Sequence, residues 1–279
     1  MLILIKGAGD IASGIALRLW HAGFSLVMTD LEKPTCIRRN VSFSQAIVDG
    51  ETQVEDVKAI HVNSINEAEK LLRERKAIPV FVDEQAECMK RLKPDIVVDA
   101  ILAKKNLGTS MNDAGLVIGV GPGFTAGTDC HAVVETQRGH YLGRVITDGS
   151  AAENTGIPGN IGGYTVERII RAPKAGKFVQ NAEIGDEVRA GQIVAYVEAE
   201  QTYPVSCQIG GILRGILPTG TMVYEGMKSG DVDPRCRKEH CYHVSDKALS
   251  VGGGVLEACV GYLNREWRGE ILDNLNSKR

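Results

Sequence analysis

The residues of this chain best suited to chemistry stand at its beginning: Gly7-Ala8-Gly9-Asp10-Ile11, followed by Asp30. Gly7 permits a tight turn and Gly9 lets a pyrophosphate approach the backbone. Ala12, where a third glycine often stands, lets a helix pack closely on the strand before it. Free N–H groups at the helix start would face a phosphate. Asp30, 21 residues after Gly9, is placed to accept hydrogen bonds from both hydroxyls of an adenosine ribose. Its charge repels a 2′-phosphate, so the expected cofactor is NAD rather than NADP.

Other constellations carry reactive groups. Gly121-Pro122-Gly123-Phe124-Thr125-Ala126-Gly127-Thr128-Asp129-Cys130-His131 is a second glycine-rich loop. Cys130 is its candidate nucleophile, because His131 and loop exposure favour a thiolate; the plain alternative is an inert loop cysteine. Arg38-Arg39 could clamp a phosphate or carboxylate, or be an ordinary exposed pair. Cys236, His240, Cys241 and His243 offer thiolate and imidazole within eight residues, but their spacing matches no standard zinc pattern. No metal site is assigned to them.

The elements that must position these groups follow from periodicity. Ile3-Leu4-Ile5 reads as a strand, Ile11, Ile15 and Leu19 recur at helical spacing until Gly23, and Leu26-Val27-Met28-Thr29-Asp30 reads as the next strand. Ser64-Ile65-Asn66-Glu67 is a capping box opening a helix, and Ile78 to Val82, Asp95 to Val98 and Leu116 to Val120 are further strands. Glu84 to Leu92 reads as a short helix, and the segments flanking Gln137-Arg138-Gly139 read as a hairpin. Strands alternating with helices predict a Rossmann-like parallel sheet, with Gly7 to Asp10, Asp30, Asp83, Asp99 and Gly121 to Phe124 at the ligand-binding edge.

From Ala172 an internal repeat appears. Gly176, Gly185, Val188 and Gly191 recur 35 residues later as Gly211, Gly220, Val223 and Gly226. The pattern resembles the barrel-sandwich hybrid of biotinyl and lipoyl carriers, with Glu198-Ala199-Glu200-Gln201 at the position of their Glu-Ala-Met-Lys tetrad. Gln201 replaces the acceptor lysine, and no lysine occurs from Ala190 through Met227. A swinging-arm role is therefore excluded, leaving a β module for contact with a partner or with the other domain. After Val251 the chain reads as mostly helical. Gly252-Gly253-Gly254 suits either a phosphate-approachable helix start or close helix packing.

A chain of 279 residues suits about two domains. The expected boundaries are 1–171 for the Rossmann-like nucleotide-binding domain, 172–235 for the barrel-sandwich hybrid module and 236–279 for a C-terminal loop and helix. A net charge of −3 argues against nucleic acid. No stretch approaches the length of a membrane span, and the amino terminus carries no secretory pattern, so a cytoplasmic protein is expected. Seven scattered cysteines read as reduced thiols.

The sequence as a whole resembles the accessory, or maturation, proteins of selenium-dependent molybdenum hydroxylase systems. The matching stretches include Gly7-Ala8-Gly9-Asp10, Arg38-Arg39-Asn40-Val41-Ser42-Phe43 and Gly121-Pro122-Gly123-Phe124. Further matches are Glu135-Thr136-Gln137-Arg138-Gly139-His140, Gly230-Asp231-Val232-Asp233-Pro234-Arg235, Ser245-Asp246-Lys247-Ala248 and Gly253-Gly254-Val255-Leu256. The resemblance implies a role in activating such hydroxylases, contact with the molybdenum cofactor, and a client hydroxylase or cofactor-insertion protein as partner. Cys130 is the thiol expected to act in it. A stand-alone NAD-dependent oxidoreductase, with His131 or Asp99 as acid or base, and a non-enzymatic scaffold are the competing readings.

Overall fold

In a computed structural model, which describes residues 1–276, the first apolar runs become strands around one helix. β1 (Leu2–Lys6) leads through the glycine turn into α1 (Asp10–His21), and β2 (Ser25–Asp30) returns beside β1. The small helix α2 (Gln45–Asp49) precedes the hairpin of β3 (Glu51–Val54) and β4 (Val57–His61). α3 (Ile65–Glu74), whose first turn is capped by Ser64 Oγ, leads to β5 (Ile78–Val82). α4 (Met89–Leu92), β6 (Ile96–Asp99) and β7 (Leu116–Val120) follow. The helix expected from Glu84 shrinks to the single turn of α4, because Asp83 caps the N–H groups of Glu87 and Cys88 and so fixes the preceding turn.

β8 (Thr125–Ala126) pairs with β11 (Gly149–Ser150) in a small ribbon, and β9 (Ala132–Val134) pairs with β10 (Val145–Ile146) as the expected hairpin. The main sheet runs β10-β9-β7-β6-β1-β2-β5-β4-β3. Pairing from β9 to β4 is parallel, and both edges are closed by antiparallel partners. The purely parallel Rossmann-like sheet expected from the alternation is therefore corrected to a mixed sheet in an α/β fold. Short hairpin connections at Glu55-Asp56 and around Gln137 reverse the chain where a parallel partner would need a crossover helix.

The repeat is structural. β12 (Ile169–Arg171), β13 (Gly176–Gln180), β14 (Glu187–Val188) and β15 (Ile193–Glu198) precede β16 (Thr202–Ser206), β17 (Gly211–Ile216), β18 (Met222–Val223) and β19 (Lys228–Asp233). β13, β14 and β15 correspond to β17, β18 and β19, and the halves exchange their short strands: β14 pairs with β17, and β18 with β13. The ladders form two separate four-stranded antiparallel sheets, β12-β19-β17-β14 and β16-β15-β13-β18. No ladder joins them, so the expected closed biotinyl- or lipoyl-like barrel-sandwich hybrid is not shown. The sheets share a core of Phe178, Val194, Val197, Leu213, Ile216 and Val232.

α5 (Asp246–Asn276) begins six residues before the glycine triplet, so Gly252 to Gly254 are interior to the helix and do not open it. They let α5 lie against α1 and the loop after β9. A Cβ on Gly252 would stand 2.8 Å from the Gly14 carbonyl oxygen, and one on Gly254 would collide with the Gly143 carbonyl. The two halves of the chain are also joined by the segment after β2. Ile37 belongs to the core of the β module, and its carbonyl accepts the Ile216 N–H at 2.9 Å. Arg39 donates to the Ile216 carbonyl at 3.1 Å and to Gln180 at 3.0 Å. Among the described residues, no helix is long and apolar enough to cross a membrane.

Candidate functional site

The glycine turn is folded in on itself. Asp30 spends one carboxylate oxygen on the Ala8 N–H and the other on the Leu31 N–H, each at 2.8 Å. Burial pushes its carboxyl up, against the pull of those two bonds. Residues 36–44 cover the rest of the turn. Cys36 lies over Gly9, Ser42 Oγ and the Ser44 N–H both bond the Ala8 carbonyl, and Ser13 Oγ holds the Phe43 N–H. Asp10 receives both of its bonds from Arg38, at 2.9 and 3.0 Å. Ile11 is buried. Asp30 thus spends part of its accepting capacity within the turn, and Cys36 stands beside Gly9 at the border of the cleft.

The crevice between β1 and β6, where the strand order reverses direction, is also filled by the protein. Lys6 donates to Thr109 at 2.8 Å and faces Asp113 at 3.5 Å, while Thr109 donates to Asp99 at 2.6 Å. Burial raises the Asp99 carboxyl. A Cβ on Gly7 would stand only 2.9 Å from the Ala100 carbonyl, so the backbone itself closes the floor.

The open volume lies beside this turn, between the edge of the main sheet and the β module. It measures about 680 Å³, within the range of sites for metabolite-sized ligands. Asp10 and Arg38 form one wall; Arg168, Arg214, Lys228 and Asp231 form the opposite one. Thr136 to Arg138, Lys247 at the start of α5 and the irregular segment 152–159 complete it. Eight lysines and arginines line the cleft against three carboxylates, in a chain whose net charge is −3.

Two β-bulges set the far wall. Between β17 and β19, Leu213 faces Val232 and Gly215 faces Asp231, so Arg214 is the extra residue. It reaches back to Asp231, through Nε at 2.7 Å, and to Asp233 at 3.4 Å. Between β12 and β19, Ile170 faces Gly230 and Arg171 faces Lys228, which leaves Ser229 over. Strict alternation would put Lys228 and Asp231 on opposite faces. The bulge brings both to the cleft.

Asp231 is almost wholly buried and bridges Arg168 and Arg214. Asp233, also buried, accepts from Arg235 at 2.7 Å and faces His240 at 3.3 Å. Burial, the largest single effect, pushes its carboxyl up, but Arg235 and Arg214 together outweigh it and hold the group far below the usual range. These acids thus neutralise the deepest arginines. The lysines have no such relief: neither the Lys228 nor the Lys247 ammonium has a hydrogen-bond or ion-pair partner among the described residues. Lys228 is open to solvent inside the cleft, yet crowding by protein lowers it below the ordinary lysine value, with Arg168 and Arg214 adding to the effect and Asp231 and Asp10 opposing it. Burial likewise lowers half-buried Lys247, assisted by Arg138 and Lys228 and opposed by Asp10 and Glu135. Arg38 Nε and Arg168 Nε are buried without a partner.

The remaining sequence-derived candidates lie elsewhere. Cys130 is fully buried, its Sγ 4.0 Å from the Thr125 carbonyl, and burial raises its thiol away from the thiolate form. His131 accepts the Val117 N–H on Nδ1 at 3.0 Å and so pins β9 to β7. Neither residue lines the cleft. Cys236 is exposed, Cys241 is buried against the Leu213 carbonyl, and His243 Nδ1 lies 2.9 Å from the Glu239 carbonyl. No group of three His, Cys, Asp or Glu among the described residues could hold a metal ion. Arg38 does clamp a carboxylate, that of Asp10. Lys228, Lys247, Arg168 and Arg214 carried no assigned role in the sequence reading; the one local sign was a strand, Gly211–Ile216, that is apolar throughout except for an arginine.

Comparison with known proteins adds a relative without an activity. No family model matches the chain. It is 53% identical over 257 residues to "Uncharacterized protein YqeB" of Escherichia coli (strain K12), covering 92% of this chain and 47% of that protein, so the chain spans about half the length of that curated relative. Among solved structures, an aspartoacylase family protein from Mesorhizobium loti aligns over 85% of this chain and 86% of its own at 12% identity and a TM-score of 0.28. The ectoine utilization protein EutE (DoeB) from Ruegeria pomeroyi aligns over 83% and 84%, at 9% identity and 0.26. A succinylglutamate desuccinylase from Silicibacter sp. aligns over 83% and 84%, at 12% identity and 0.25. Likenesses at this level carry no argument about this chain's chemistry.

None of these proteins is a molybdenum-hydroxylase accessory factor by name, and the family resemblance is therefore corrected to unsupported. The maturation role falls with it, since the client hydroxylase and the molybdenum-cofactor contact rested on that resemblance alone. The NAD-dependent oxidoreductase reading falls as well, because its proposed acid–base groups are engaged elsewhere: His131 accepts the Val117 N–H, Asp99 is buried against Thr109, and neither lines the cleft. What the chain is similar to is a protein of unassigned activity, and its own cleft is the guide to function.

Proposed function

We propose that the chain binds a small polyanion, a phosphorylated or polycarboxylate compound of metabolite size, in the cleft between the main sheet and the β module. The observation that carries this reading is the pair Lys228 and Lys247: two ammonium groups facing one cavity with no carboxylate or carbonyl of their own. Unpaired positive charge held among other cations is unfavourable, and an entering anion relieves it. Each charge-assisted hydrogen bond formed there is worth about 1.5–3 kcal/mol. Arg38 and Arg168, fixed by Asp10 and Asp231, supply a positive background whose geometry needs no reorganisation on binding.

The test is thermal unfolding of the full chain with inorganic pyrophosphate or citrate as probe. At a hundred times the dissociation constant a native-state ligand contributes about 2.7 kcal/mol, which raises the midpoint by roughly 5 °C. The rise should appear in the wild type and vanish in a Lys228→Met/Lys247→Met variant. An unchanged midpoint in the wild type with both probes, or an equal rise in the variant, would overturn the proposal.

A further inference from the structure

Lys228 differs from an ordinary anion-binding lysine in how it is presented. It is the first residue of β19, and its backbone is paired with Arg171 of β12. The bulge at Ser229 turns it to the same cavity as Asp231, and Ser229 itself is fully buried, bonding the Ile170 carbonyl at 3.3 Å. The side chain is open to solvent but has no partner, and a second unpaired lysine, Lys247, stands close enough to repel it. An amine fixed next to another cationic group, with solvent access and no carboxylate of its own, is the arrangement that turns lysine from a charge into a nucleophile.

We infer that Lys228 forms an imine with an anionic carbonyl compound, a phosphorylated aldehyde or ketone or a 2-oxo acid, with Lys247 as its proton donor. The inference rests on the polyanion reading, since the cleft's arginines would hold the anionic end while the carbonyl meets Lys228. The unprotonated Nζ of Lys228 gives its lone pair to the carbonyl carbon, forming a C–N bond as the C=O π pair moves to oxygen. A proton passes from nitrogen to that oxygen to give the neutral carbinolamine. The C–O bond then breaks, with the hydroxyl leaving as water on a proton from the Lys247 ammonium and the nitrogen lone pair completing C=N. The iminium proton returns to Lys247 through solvent. The balance is amine plus carbonyl to imine plus water, with no oxidant or reductant.

The groups facing Lys228 set the pH response. Asp231 on its own strand and Asp10 on α1 favour the ammonium; Arg168, Arg214 and Lys247, on three other segments, disfavour it. Crowding and these cations leave more free amine near neutrality than a surface lysine has. Imine formation should therefore proceed at pH 7 to 8 and speed up as pH rises, while simple anion binding weakens over the same interval.

The experiment is reductive trapping on the full chain. Dihydroxyacetone phosphate and pyruvate are each incubated with the protein and sodium cyanoborohydride at pH 7.5, and adducts are located by peptide mass mapping. The expected result is a single dominant adduct on Lys228, formed at least tenfold faster than on any other lysine, suppressed by pyrophosphate. It should be absent in Lys228→Arg, a variant that keeps the charge, and slowed in Lys247→Met. Labelling spread evenly over surface lysines, or unaffected by pyrophosphate, overturns the inference. If pyrophosphate still raises the unfolding midpoint in that case, the anion site stands and only the imine falls. If neither occurs, both fall.

Discussion

At the scale of single residues, Asp231 separates the cost of the site from its use. It bridges two buried guanidinium groups, so removing its charge leaves Arg168 without its carboxylate and Arg214 with only the longer contact to Asp233. Asp231→Asn should destabilise the protein by about 3–5 kcal/mol, the range for breaking a buried ion pair, read from denaturant unfolding. Lys228→Met should do the opposite. A lysine whose folded value lies below its unfolded one binds fewer protons when folded, so stability is withheld at neutral pH and regained as pH rises through the alkaline range. The substitution should raise the unfolding midpoint at pH 7 and abolish the response to pyrophosphate, and the gain should shrink towards pH 10. A variant both less stable and unresponsive would show that Lys228 is structural.

Residue types at the glycine turn were legible in the sequence, but their use was not. Gly7, Gly9 and Asp30 stand where strand, turn, helix and strand predict them. Whether such a turn is open depends on what packs over it, and the covering segment 36–44 has no local signature. The lysines were invisible for a related reason: Lys228 faces the cleft only because Ser229 is bulged out of register, and a register shift belongs to the pairing of two strands rather than to either one.

At the scale of elements, the glycines of α5 make a contrast that can be measured. Gly254 abuts the Gly143 backbone and Gly252 abuts Gly14, whereas nothing lies within 4 Å of a Cβ on Gly253. Gly253→Ala should stabilise the protein by roughly 0.5–1 kcal/mol through helix propensity. Gly254→Ala should destabilise it by about 1–3 kcal/mol or more, because backbone must move. Both effects are read from chemical unfolding midpoints. In the β module, Gly176 and Gly211 occupy equivalent places, and a Cβ on either would collide with the carbonyl of Glu198 or Asp233 respectively. Alanine at either position should weaken its ladder to a similar degree. The 35-residue repeat thus foresaw the matched glycines and strands. It could not foresee that the ladders stay separate, since closure depends on hydrogen bonds between residues far apart in sequence.

For the whole molecule, both halves of the chain carry paired carboxylates that titrate in acid. Asp246, at the first turn of α5, takes both terminal nitrogens of Arg138 and is held down at about 2. Buried Asp233 is held below its ordinary value as well. A carboxylate with a depressed folded value gives stability that is complete above the unfolded value, near pH 4, and lost as pH falls towards the folded one. Stability should therefore decline between about pH 4 and pH 2, and Asp246→Asn should flatten the upper part of that decline. Circular dichroism melts across this range give the answer.

Proton linkage at the cleft tests the central claim most directly. If an anion enters because Lys228 and Lys247 lack partners, binding must draw protons onto them. Calorimetric titration of the full chain with citrate, which is fully ionised at pH 8.5, repeated at that pH in buffers of different ionisation enthalpy, should show net proton uptake and an affinity that falls as pH rises. Both signatures should disappear in the Lys228→Met/Lys247→Met variant. Binding without proton uptake, or with the same uptake in that variant, would contradict the account.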